Sequence, residues 1–152
     1  MIKRSLLFFL FIFSLNAYAQ NPKAQLQEIY VSYLKEQGYQ PEVDSDGDVR
    51  FKAEGITFYI NVDEKDLQSF RVVLPNFWKV ESTEEKEKAY KAANSINSKM
   101  KVAKAYVNPE RGRVLIDANI YIEKPEDFKP HFRRMLNVLM RGARDFTDMM
   151  KK

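Results

Sequence analysis

Apolar positions along the chain first form a nearly continuous run, then fall at helical spacing, then alternate. The run extends from Leu6 to Leu15. Leu26, Ile29, Tyr30, Tyr33 and Leu34 then stand three and four apart, which gathers them on one helix face. Asn21-Pro22 opens that helix, where Pro is harmless in the first turn, and Gly38 followed by Pro41 ends it. Glu42-Val43-Asp44 reads as a short extended piece, and Ser45-Asp46-Gly47 as a turn. The period then becomes two. Val49, Phe51 and Ala53 alternate with charged residues, Gly55 turns the chain, and Ile56, Phe58, Ile60 and Val62 alternate with Thr57, Tyr59 and Asn61. Two alternating runs across Glu54-Gly55 predict a β-hairpin. Phe70, Val72 and Leu74 continue the pattern as a third strand, and Pro75 is expected to end it.

Ser82-Thr83-Glu84-Glu85 fits a capping box, with Ser82 as cap and Glu85 reaching back to it. The helix behind it carries Tyr90, Ala93, Ile96 and Met100 on its inner stripe, with Ala89 and Ala92 nearby. Lys101 to Val107 forms a fourth strand, and Asn108 to Gly112 a hairpin loop. In the fifth strand Val114, Ile116, Ala118, Ile120 and Ile122 face one way, while Leu115, Asp117, Asn119 and Tyr121 face the other. Beyond Pro125 and Pro130 a long helix carries Phe132, Leu136, Leu139, Ala143, Phe146 and Met150 on one face. The expected fold is therefore α+β, a five-stranded antiparallel sheet in the order α-β-β-β-α-β-β-α with one face under helices. No internal repeat, linker or low-complexity stretch divides the chain.

The apolar run at the start has a separate meaning. Met1-Ile2-Lys3-Arg4 is cationic, the run spans ten residues, and Ala17-Tyr18-Ala19 supplies small residues at the third and first places before a cut. Together these describe a secretory signal peptide over residues 1–19, with a single domain over residues 20–152. The run is well short of the roughly 20 residues that cross a bilayer, so stable membrane insertion after cleavage is not expected. Cleavage takes 19 of 152 residues and leaves 133. It also lowers the 25 Lys and Arg to 23 against 21 Asp and Glu, a net charge of only +2. That weakens any case for nucleic acid as a partner. The expected location is the periplasm or outside the cell. The chain has no Cys and one His, which excludes disulfides, thiolate sites, Cys nucleophiles and multi-histidine metal centres.

Several segments resemble a known family. Gly38-Tyr39-Gln40-Pro41-Glu42-Val43-Asp44 and Asp46-Gly47-Asp48-Val49-Arg50-Phe51 are similar to the first half of YbjN-type proteins. Ile56 to Ile60, Ala92 to Asn97 and Lys101 to Val107 extend the resemblance over roughly residues 23–150. It implies the fold of type III secretion chaperones, whose element order is the one given above. The family carries a sensory-transduction-regulator label, with no reaction or cofactor attached.

Few residue groups suggest chemistry. Asp44, Asp46 and Asp48 stand at alternate positions, but an EF-hand counted from Asp44 would need Gly and Glu where Val49 and Gly55 stand, so a polar turn is expected. His131, near Glu126 and Asp127, is expected to be a surface residue at a helix entry. Arg134 and Arg141 share one side of the last helix with Arg133 and Arg144 near them. Asp145 and Asp148 interrupt the stretch, which favours a solvated face over a site for an anionic partner. The other side of the sheet is more informative. Tyr59, Val73, Tyr106, Leu115 and Tyr121 should point away from the helices, with Phe77 and Trp78 at the rim, as a surface for a protein partner or a second copy. The sequence thus favours a non-enzymatic binding or chaperone-like module without cofactors. The alternative is a small-ligand carrier or an enzyme with a pocket between sheet and helices.

Overall fold

The computed structural model describes residues 21–152, so the signal-peptide reading of residues 1–19 lies outside the described residues. Helix α1 (Pro22–Glu36) begins where the Asn21 side chain accepts from the Lys23 amide at 3.0 Å. It closes at Gly38, whose φ of 84° and whose amide bond to the Lys35 carbonyl suit a left-handed helix end. Strands β1 (Glu42–Val43), β2 (Val49–Ala53), β3 (Ile56–Ile60) and β4 (Ser69–Lys79) follow. Then come α2 (Thr83–Lys99), β5 (Ala103–Asn108), β6 (Arg113–Tyr121), a 3-10 turn (Pro125–Phe128) and α3 (Lys129–Lys151). Among the described residues no helix is long and apolar enough to cross a membrane.

All pairings are antiparallel, in the order β1-β2-β3-β4-β6-β5. The sheet therefore has six strands, not the expected five. The addition is Glu42–Val43, which pairs with Arg50 and Val49. The Asp44 carboxylate makes this possible by accepting from the amides of Asp46, Gly47 and Asp48, which folds the chain back on itself. The β2–β3 hairpin turns on Glu54 and Gly55, both at positive φ, so that Ala53 pairs with Ile56.

A second difference lies in β4, which continues past Pro75 to Lys79. Its pairing with β6 is irregular between Leu74 and Trp78, and Asn76 lies there at a φ of 53°. Proline is tolerated at such a bulge because its missing N–H breaks no regular ladder. The capping box is also modified. Ser82 accepts from the Glu85 amide as expected, but the Glu85 carboxylate goes to the Glu81 amide and to the Trp78 indole.

The helices form one layer: α1 lies over β2, α3 along β4, β5 and β6, and α2 beside α3 over β5. The core between layers is aromatic at one end and small at the other. Tyr30, Phe70 and Phe128 meet with ring centroids 4.5–5.6 Å apart, tying α1, β4 and the 3-10 turn together. At the other end Ala89, Ala92, Ala93 and Ile96 of α2 are buried above Ala103, Ala105 and Val107. Tyr90 is not on that stripe. It is 46% exposed beneath the Lys86 ammonium, because it sits about 100° around the helix from Ala89.

Candidate functional site

Among the described residues no helix covers the second face of the sheet, and the antiparallel register decides what stands on it. Tyr59 pairs with Val73, Val73 with Asp117 and Asp117 with Lys104, one row across four strands. Tyr106 pairs with Leu115, and Ser69 with Tyr121. Their inward neighbours Phe58, Val72, Ile116 and Ala105 are buried, so alternation sends Tyr59, Val73, Tyr106, Leu115 and Tyr121 outward. Tyr121 is 84% exposed and Tyr106 39%, while Tyr59, Val73 and Leu115 are half-buried by cross-strand neighbours.

The centre of this face is polar. Asp117 is the one buried charged residue among those described, and Arg71 of the adjacent strand covers it. The Arg71 Nε donates to the Asp117 carboxylate at 2.9 Å, and its Nη2 donates to the Tyr106 hydroxyl at 3.2 Å. Burial pulls the Arg71 guanidinium down, but the Asp117 carboxylate outweighs it and holds the group above its usual value. Ser69 and Asn119 bond beside this pair at 3.1 Å. The result is aromatic and aliphatic surface around a fixed charge-paired hub, a combination found at protein contact sites. The period of two pointed to the tyrosines. It did not point to the hub, although Arg71 and Asp117 share their outward parity.

Trp78 and Phe77 are not part of this surface. Trp78 keeps the inward parity of Leu74 because β4 continues past Pro75 and pairs it with the buried Val114. The bulge brings Phe77 inward as well, and the ring centroids of Trp78 and Phe77 lie 6.2 and 5.3 Å from that of Phe146. The Trp78 indole donates to Glu85 at 2.9 Å, joining β4 to the start of α2. Trp78 is a packing residue of the helical layer.

The aspartates read as a turn are occupied structurally. Asp44 holds the turn amides, and Asp48 accepts from the Val62 amide at 2.8 Å and the Asn61 side chain at 3.0 Å. His131 is exposed near the start of α3, while the nearby Asp127 carboxylate accepts from the Lys124 amide. On the helical side a groove of about 420 Å³ opens between α3 and the β5–β6 end of the sheet, with His131 on its rim.

Comparison with known proteins agrees with this architecture. No curated protein matches the sequence. A solved structure, described as an uncharacterized protein from Methanothermobacter thermautotrophicus, superimposes with a TM-score of 0.57 at 12% identity, covering 83% of this chain and 96% of that one. That likeness is one of fold. A family model matches residues 24–152, nearly every described residue, and so the chain belongs to TY-Chap1, the T3SS (YopN, CesT) and YbjN peptide-binding chaperone 1 family.

Proposed function

We propose that this protein is an exported, non-enzymatic chaperone-like module that holds a polypeptide segment against the open face of its sheet. Family membership supports a peptide ligand. The observation that carries the choice of surface is the outward row from Tyr59 through Val73, with Tyr106, Leu115 and Tyr121 around it and, among the described residues, no helix over it. Tyrosines offer a segment apolar contact area at little entropic cost, and the Arg71–Asp117 hub supplies fixed polarity for register. The cationic start, ten-residue apolar run and Ala17-Tyr18-Ala19 site support export.

The binding test uses a permanently unfolded labelled polypeptide and fluorescence anisotropy. Tyr59→Asp and Leu115→Asp should each weaken binding by about tenfold, as expected for residues near the centre of a contact. Tyr90→Asp, on the exposed side of α2, should leave binding unchanged. Equal loss from all three variants would rule out the sheet face as the site. Light scattering distinguishes a second copy as occupant, since a dimer that dissociates on Tyr59→Asp means the face is closed by self-association. Cell fractionation with sequencing of the mature N-terminus tests export, with Gln20 as the expected first residue.

A further inference from the structure

The groove on the helical side has a composition that the contact surface lacks. Met100, Val102, Ile120, Met135 and Val138 form its apolar lining. Lys99, Lys101, Arg134 and Arg141 surround that lining, together with His131. Apart from His131, every lining residue is aliphatic, methionine or cationic, and none is a carboxylate or a neutral amide or hydroxyl. None of the cations is ion-paired among the described residues. Arg134 and Arg141 lie two turns apart on α3, about 10 Å along its axis, while Lys99 and Lys101 come from the junction of α2 and β5. Four permanent positive charges from separate elements thus face one apolar trough. Repulsion among them is relieved by a bound anion.

We propose that this groove binds the carboxylate of a single-chain fatty acid, with its alkyl tail on the methionine and valine lining and its head between the arginines. The volume lies within the roughly 300–1,000 Å³ of small-ligand sites. Methionine side chains adapt to a flexible apolar chain. Arginine meets a carboxylate with two parallel donors. A peptide suits the groove less well, because its many amides would find almost no neutral polar side chain there. The proposal is independent of polypeptide capture, which uses the opposite face of the sheet.

Calorimetric titration of the full chain with decanoate and dodecanoate, below their micellar concentrations, tests it. Saturable one-to-one binding is expected, tightening by up to about fourfold for each added methylene while the tail stays within the groove. The double variant R134E/R141E should weaken dodecanoate binding by tenfold or more. Lys104→Glu, the same change of charge on the outer sheet face, should leave it unchanged. If the reversal variant fails to fold, R134Q/R141Q replaces it, with the loss again expected. Dodecyltrimethylammonium, with the same tail and opposite charge, should not bind the unaltered protein. The proposal is overturned by equal affinity for that cation, by undiminished binding in the arginine variants, or by absence of saturable dodecanoate binding. Binding to phosphatidylglycerol vesicles without binding to dodecanoate would overturn it in favour of a membrane surface. Displacement of dodecanoate by an acidic, apolar-anchored peptide at lower concentration would overturn it in favour of a peptide site.

Discussion

Glycine inside a helix costs about 0.5–1 kcal/mol relative to alanine, yet α3 places Gly142 there, buried. The reason is close approach. A Cβ at this position would overlap the Ile116 Cδ1 on β6 and come within 3.2 Å of the Met100 Sδ. The Ile116 side chain is fully buried and has little room to give way, so overpacking, at about 1–3 kcal/mol, outweighs what alanine returns in helix propensity. Gly142→Ala should therefore destabilise the protein by about 1–2 kcal/mol and lower Tm by several degrees. A calorimetric melt with unchanged or raised Tm would mean that the Ile116 side chain gives way or that α3 does not lie this close to β6. The residue scale also shows where reading the sequence stops. Inward residues such as Phe58, Val72 and Ile116 follow from alternation alone, because parity decides face wherever a strand is regular. Phe77 does not: it shares the odd parity of Val73 yet packs on Phe146, because the backbone turns at Asn76, and an asparagine in an apolar strand carries little warning of it.

Elements are held by side chains as well as by ladders, and the edge strand β5 is the clearest case. Asn97 of α2 presents its amide to Ala105, donating from Nδ2 to the carbonyl at 3.0 Å and accepting the amide N–H on Oδ1 at 2.7 Å. These are the two bonds that another strand would make. The side chain thus occupies a position on the sheet edge that would otherwise recruit a second chain. Asn97→Ala removes both bonds and regains part of the loss through better helix propensity, so a net cost of about 1–2 kcal/mol is expected. Light scattering should also detect concentration-dependent association through the opened edge, and a monomer of unaltered stability would refute this role. The sequence shows Ala92 to Asn97 as a small-residue helix face but not this bond, because it joins residues whose spacing carries no periodic signal. The same limit hid the cationic groove. Arg134 and Arg141 were visible as neighbours on one helix, but their convergence with Lys99 and Lys101 depends on how α3 crosses the sheet. The two-residue strand β1 was legible only as extended chain, since two residues are too few for a period to emerge.

For the molecule as a whole, the junction that matters most is where α1, β4 and the 3-10 turn meet around Tyr30. Opening either layer exposes this ring, so its ionisation reports on global unfolding. Burial pushes the Tyr30 phenol up to about 12 from 10, because the phenolate is poorly solvated in an apolar interior. The unfolded chain releases this proton near pH 10, whereas the folded chain keeps it to about pH 12. Below pH 10 both states hold the proton and Tyr30 adds no pH dependence. Between pH 10 and 12 the folded state binds more protons than the unfolded state, so stability falls as pH rises, by up to about 1.4 kcal/mol per unit from this group. Tyr33, also raised by its burial first, bends the curve in the same direction. Tyr30→Phe keeps the ring packing and removes the titrating group. Urea unfolding at a series of pH values from 9 to 12 should show a shallower alkaline loss for Tyr30→Phe, whatever its stability at neutral pH. Parallel curves for the two proteins would mean that Tyr30 is hydrated in the native state and that the helical layer does not close over it.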